Sequence, residues 1–145
     1  MEFRVHVFKR FAYLLFALFI VNSFANYFYW YQSFRHFDKI MHFTGGVVAS
    51  LLLIWVFYKK YLRFLEAKKL RKFILVNTLL FLLIAVAWEV MEFSVQGIFG
   101  VDNLLATPLD SLEDLLTGTL GSFVGVTYFL NKVRSLKLIK NNGGN

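Results

Sequence analysis

The chain has 145 residues, 58% of them hydrophobic and 19% aromatic, with a mean hydropathy of +0.57. Soluble domains average ~45–50% apolar residues, so an ordinary soluble globule is excluded, and the lack of cysteine excludes disulfides and thiolate metal sites. The net charge of +7 would point to nucleic acid in a soluble chain, but here the basic residues are segregated between loops, as in a membrane protein, and nucleic-acid binding has no folded basic surface to rest on.

The reading in chain order is a single all-α, polytopic membrane domain with four spans at about 11–31, 38–58, 73–93 and 108–130, each near the ~20 residues needed to cross a bilayer. A short start with Arg4, Lys9 and Arg10 precedes the first apolar run. A signal peptide has the same basic-then-apolar form, and Ser23-Phe24-Ala25 offers a small-x-small cleavage pattern. The run continues through residues 27–31 without a polar exit, so it is kept as a span. Residues 32–41 form a polar connection, and 59–72 is a basic loop with one acid, Glu66. The loop before span four holds Gly97, Gly100, Asn103 and the only proline, Pro108. Residues 131–145 form a basic tail ending in NNGGN, whose composition suits disorder.

Four spans place the N-terminus, the 59–72 loop and the tail on one side, with fourteen of the sixteen Lys and Arg residues. Only Arg35 and Lys39 fall on the other. The positive-inside rule then makes both termini cytoplasmic. The acids show the reverse pattern. Asp38, Glu89, Glu92, Asp102, Asp110, Glu113 and Asp114 gather at the outer ends, leaving Glu2 and Glu66 inside. Tyr27, Tyr29, Trp30 and Tyr31 at the outer end of span one read as an interfacial aromatic belt.

Two stretches share a grammar. In 37–46 (FDKIMHFTGG) and 109–122 (LDSLEDLLTGTLGS), Asp38, His42, Gly46, Ala49 and Ser50 match Asp110, Asp114, Gly118, Gly121 and Ser122 at an offset of 72 residues. This suggests two similar helical hairpins. His42, Gly46 and Ala49 share one helical stripe, and Asp114, Gly118, Gly121 and Gly125 another, so spans two and four are expected to pack closely with His42 beside Asp114. The Gly121/Gly125 face would equally serve a homo-oligomer.

Ionisable groups at membrane depth are functional candidates by default. Glu89 and Glu92 lie one turn apart beside Trp88; as a pair they suit cation binding or general acid/base work. His42, Glu89 and Asp114 are the candidate catalytic groups, and His42, Glu89, Glu92, Asp110 and Asp114 the candidate metal ligands, with Asp38 orienting His42. One imidazole among carboxylates suits Zn²⁺, Mn²⁺ or Fe²⁺. Asp110 has a structural reading too: Thr107-Pro108-Leu109-Asp110 has the form of a helix start, with an N-cap, proline at the first position and an acid in the first turn.

DKIMHFTGG opening span two, AWEVMEF ending span three and the D-x3-D-x3-G-x2-G of span four together resemble the VanZ-like membrane proteins and, still more, the related YjdF-like proteins of bacteria. The resemblance spans about residues 37–125. It implies a small polytopic protein of the cytoplasmic membrane with Asp38, His42, Glu89, Asp110 and Asp114 as motif residues, and it implies no particular reaction. Three functions stay open: metal-assisted or acid/base chemistry on a lipid headgroup or cell-envelope intermediate; a cation- or proton-coupled carrier; and a structural or accessory subunit.

Overall fold

The computed structural model describes residues 2–34, 36–66, 69–99 and 108–142, with side chains described for 8–34, 36–61, 63, 69–94, 98 and 108–133. The described residues are helical and hold no strand. The order is α1 (Glu2–Tyr27), α2 (Trp30–Ser33), α3 (Phe37–Val56), α4 (Tyr58–Glu66), α5 (Leu70–Phe99) and α6 (Pro108–Asn142). Three stretches are long and apolar enough to cross a membrane: Phe8–Tyr27, Phe37–Val56 and Leu70–Ser94. α6 is not among them; Asp110, Glu113 and Asp114 occupy its first two turns, and glycine, serine and threonine recur through the apolar stretch that follows. Large apolar side chains such as Phe16, Phe19, Leu83 and Phe93 are exposed along these helices. In water such a surface would drive aggregation, whereas in a bilayer it faces lipid.

α3 starts at Phe37, with Asp38 in its first turn complementing the helix dipole. α6 starts at Pro108, whose missing N–H costs nothing at the first helical position. Arg35, Asp102 and the Thr107 cap lie outside the described residues. Two stretches differ from the sequence reading. The basic 59–72 segment contains α4, because Tyr58 and Tyr61, three apart, make a docking stripe that the charge run hides. α6 continues to Asn142, well beyond residue 130, carried by Leu and Lys, which are good helix formers.

The main packing is α3 against α6, with both helices starting at the same end. A Cβ on Gly46 would overlap the Gly118 carbonyl oxygen, and one on Gly121 the Phe43 carbonyl oxygen. At Gly125 it would meet the Ser50 hydroxyl, and at Gly118 the Phe81 ring. The backbones therefore touch, as small residues allow in lipid, where association depends on close van der Waals approach. The Gly121/Gly125 face packs against α3 within the chain. α1 packs on α3, α5 packs on α6 and α3, and α4 packs on α5.

The two ends of this bundle differ. At the basic end Phe11, Val48, Leu51, Ile54, Tyr61, Phe73, Val126 and Phe129 form one buried cluster. Tyr61 stacks edge-on to Phe73, their centroids 4.8 Å apart, and donates to Asn77 Oδ1 at 3.2 Å. Burial pushes its hydroxyl up to about 12. Arg10 caps this end, lying 5.7 Å above the Tyr128 ring.

Candidate functional site

At the acidic end, the first turns of α3 and α6 are side by side because Gly46, Gly118 and Gly121 hold the backbones together just below. Lys39 bridges them. Its Nζ lies 2.7 Å from Asp110 Oδ1, 3.0 Å from Glu113 Oε2 and 3.3 Å from Asp114 Oδ1. One ammonium thus holds three carboxylates of α6, and the geometry is that of charge-assisted hydrogen bonds. In the sequence Lys39 was only a topological charge. Its position one residue after Asp38, matching Ser111 in the second stretch, gave no sign of a partner 71 to 75 residues away.

Asp114 is buried, and its second oxygen faces His42: Nε2 is 3.8 Å from Asp114 Oδ2 and 3.6 Å from Asp38 Oδ1. These separations exceed a hydrogen bond. Asp38, His42 and Asp114 offer ligand atoms all within 4.8 Å of one another, and so do His42, Glu89 and Glu92. His42 is common to both groups, so the imidazole stands between the α3/α6 acids and the α5 acids. Asp110 belongs to neither group and is engaged by Lys39. The structure therefore brings His42, Asp38, Asp114, Glu89 and Glu92 into one neighbourhood and sets Asp110 at its edge.

Tyr31, read from sequence as part of an aromatic belt, lies over this neighbourhood. Tyr29 turns the chain in the left-handed region (φ 56°), so that α2 folds back. The Tyr31 hydroxyl then donates to Asn22 Oδ1 at 2.6 Å. Burial, followed by the charges of Asp38 and Glu92, pushes this hydroxyl up to about 12. No spacing rule in the sequence links Tyr31 to acids on α3 and α5.

His42, the acids Asp38, Glu89, Glu92, Asp110 and Asp114, and Tyr31 border one cavity of about 800 Å³, within the ~300–1,000 Å³ typical of small-ligand sites. Its polar end is made by Asp38, His42, Glu89, Glu92 and Asp114, with Asn22 and Tyr31 across from them. Its walls deepen into Leu15, Leu18, Val48, Leu52, Phe81 and Ile84. On α3 the lining runs from Asp38 to Leu52, about 21 Å at 1.5 Å per residue. It ends at Phe11, which belongs to the buried cluster of the basic end.

No curated protein and no solved structure matches this chain. The family described as "Predicted membrane protein (DUF2238)" matches residues 2–134, nearly the whole chain including all six helices through the packed part of α6. This all-helical membrane protein belongs to that family.

Proposed function

We propose that the cavity is an outward-facing site that holds a membrane lipid or cell-envelope intermediate by its apolar part. The His/Asp/Glu end then carries out acid/base or metal-assisted chemistry on the headgroup. The observation that carries this reading is the cavity itself, with acids and an imidazole at one end and a deep apolar wall below. An amphiphile has the same division. In this reading α6 is the fourth span: residues 115–131 contain no charge and cover about 26 Å of the ~30 Å hydrocarbon layer. The basic end is cytoplasmic by the positive-inside rule, with both termini on that side. The resemblance to VanZ-like and YjdF-like proteins is consistent with this placement and adds no reaction.

His42, Glu89 and Asp114 are the reacting or metal-holding groups. With metal–ligand bonds of about 2.0–2.2 Å, neighbouring ligand atoms in a tetrahedral site lie about 3.4 Å apart. The His42–Asp38 and His42–Asp114 separations of 3.6 and 3.8 Å come close to this, and all three ligand atoms lie within 4.8 Å of one another, which supports the metal-assisted form. A metal ion held there would polarise a headgroup oxygen or activate a water. Without it, His42 between two carboxylates serves as the proton carrier. A carrier function is less well supported, because the buried aromatic cluster fills the path from the cavity to the basic end.

The test is the metal content of purified protein by elemental mass spectrometry, comparing the wild type with His42→Ala and Glu89→Gln. One transition metal per chain, lost in His42→Ala, is the result expected of the metal-assisted form. Metal-free protein that also takes up no added Zn²⁺ or Mn²⁺ would leave the acid/base form alone.

A further inference from the structure

The cavity is open on one flank, and its acids are unevenly compensated. α1 packs on α3, and α5 packs on α3 and α6, while α1 and α5 make no substantial contact with each other among the described residues. The residues lining the cavity on these two helices are correspondingly exposed: Phe19 is 66% exposed and Trp88 53%, with Leu15 and Ile84 beside them. Side chains that both line a cavity and face the surrounding lipid mark an opening into the bilayer. At the polar end the lining contains five carboxylates and no Lys or Arg. Lys39 answers for Asp110 and Asp114 on α6. Glu89 and Glu92, on the α5 wall, have no Lys or Arg partner among the described ion pairs. They stand next to the half-exposed ring of Trp88.

We propose that an amine-bearing lipid enters this cavity sideways from the bilayer, between α1 and α5, and seats its ammonium group on Glu89 and Glu92 beside the Trp88 ring. The inference rests on the lipid-site reading above and names its substrate class. The lateral opening lets the acyl chain pass from bilayer to cavity without crossing water. The carboxylates of α5 supply the countercharge. A headgroup with a phosphate and no amine meets only negative charge on that wall and is disfavoured. His42, between the α3/α6 acids and the α5 acids, is the group that can donate a ring N–H to the phosphate of the same headgroup.

Native mass spectrometry of the full-length protein in detergent tests this, with an equimolar mixture of phosphatidylethanolamine, its N-acetylated form and phosphatidylglycerol. One ethanolamine lipid should be retained, preferred roughly tenfold over both others, the scale of one hydrogen bond between charged groups. Ala85→Phe, which fills the cavity, should abolish retention; Ala49→Phe, on the facing wall, serves if that variant does not fold. The double variant Glu89→Gln/Glu92→Gln should still retain a lipid but without preference. Retention of a lipid that the filling variants abolish, with no preference for the free amine, overturns the proposal and leaves the lipid site standing. Retention that cavity filling does not change, or no retention of any of the three lipids, overturns both.

Discussion

The two ends of the bundle are built on opposite terms. At the basic end, aromatic and aliphatic side chains from α1, α3, α4, α5 and α6 meet in one filled cluster around Tyr61, Phe73 and Phe129. At the acidic end α1, α2, α3, α5 and α6 enclose a cavity of about 800 Å³ and border its polar part with ionisable groups. The division shows where this fold is held and where it can act. Helices in lipid gain little from hydrophobic exclusion, so the packed end supplies van der Waals contact, and the open end forgoes it. Between them lies the α3/α6 glycine crossing, on which both ends depend.

That crossing gives the largest expected effect. Gly46→Leu or Gly121→Leu places side-chain atoms on a partner backbone carbonyl that has no rotamer to move. Neither variant should yield a monodisperse folded protein in size-exclusion chromatography. Gly45, next in sequence, has nothing within 4 Å of its would-be Cβ. Gly45→Ala should fold and gain about 0.5–1 kcal/mol from helix propensity, seen as a raised thermal midpoint. Equal outcomes for the two neighbours would mean that the helices do not touch at this register.

At the acidic end Lys39 holds α3 to α6 through Asp110, Glu113 and Asp114. Lys39→Met leaves Asp110, Glu113 and Asp114 facing one another across the first turns of α6. Because the groups are partly exposed, screening reduces the loss to about 2 kcal/mol, seen as a drop in thermal midpoint. Adding Asp110→Asn to Lys39→Met should recover part of that loss. If Lys39→Met leaves the midpoint unchanged, the acidic end is not joined through this lysine.

At the packed end, Tyr61→Phe removes the donor to Asn77 Oδ1 in a site where Asn77 Nδ2 already lacks a partner. A loss of about 1–2 kcal/mol is expected. The double variant Tyr61→Phe/Asn77→Leu should be less destabilised than Tyr61→Phe alone, because it removes the unpaired amide as well. Thermal unfolding of the set checks this, and lipid retention should not change in either variant.

Much of the acidic end was legible in the sequence, and for a definite reason. Once alternating spans are placed, the starts of α3 and α6 and the end of α5 must lie at one depth, so Asp38, His42, Glu89, Glu92 and Asp114 are expected near each other. The matched glycine stripes also foretold the α3/α6 contact, since only small residues at that spacing let backbones meet. The division of labour among the acids was not legible, because it depends on Lys39, a single charge whose partners lie 71 to 75 residues on. Tyr31 reaches the site only through the turn at Tyr29. α4 was hidden by reading 59–72 as a charge run, although Tyr58 and Tyr61 carry a helical spacing. The cavity is the least legible feature, since it is a space between α1 and α5 and no residue pattern encodes a contact left unmade.

The smallest expected effect on stability is also the sharpest test of the division between the ends. Glu89 sits on the cavity wall without a Lys or Arg partner among the described ion pairs, so Glu89→Gln removes a charge that nothing in the fold requires. Thermal stability should stay within about 0.5 kcal/mol of the wild type and shift upward if at all, because sites built for function commonly hold charges that stability alone would not select. A clear loss of stability, of the size expected for Lys39→Met, would mean that Glu89 ties α5 into the bundle, and the acidic end would then be a second structural core.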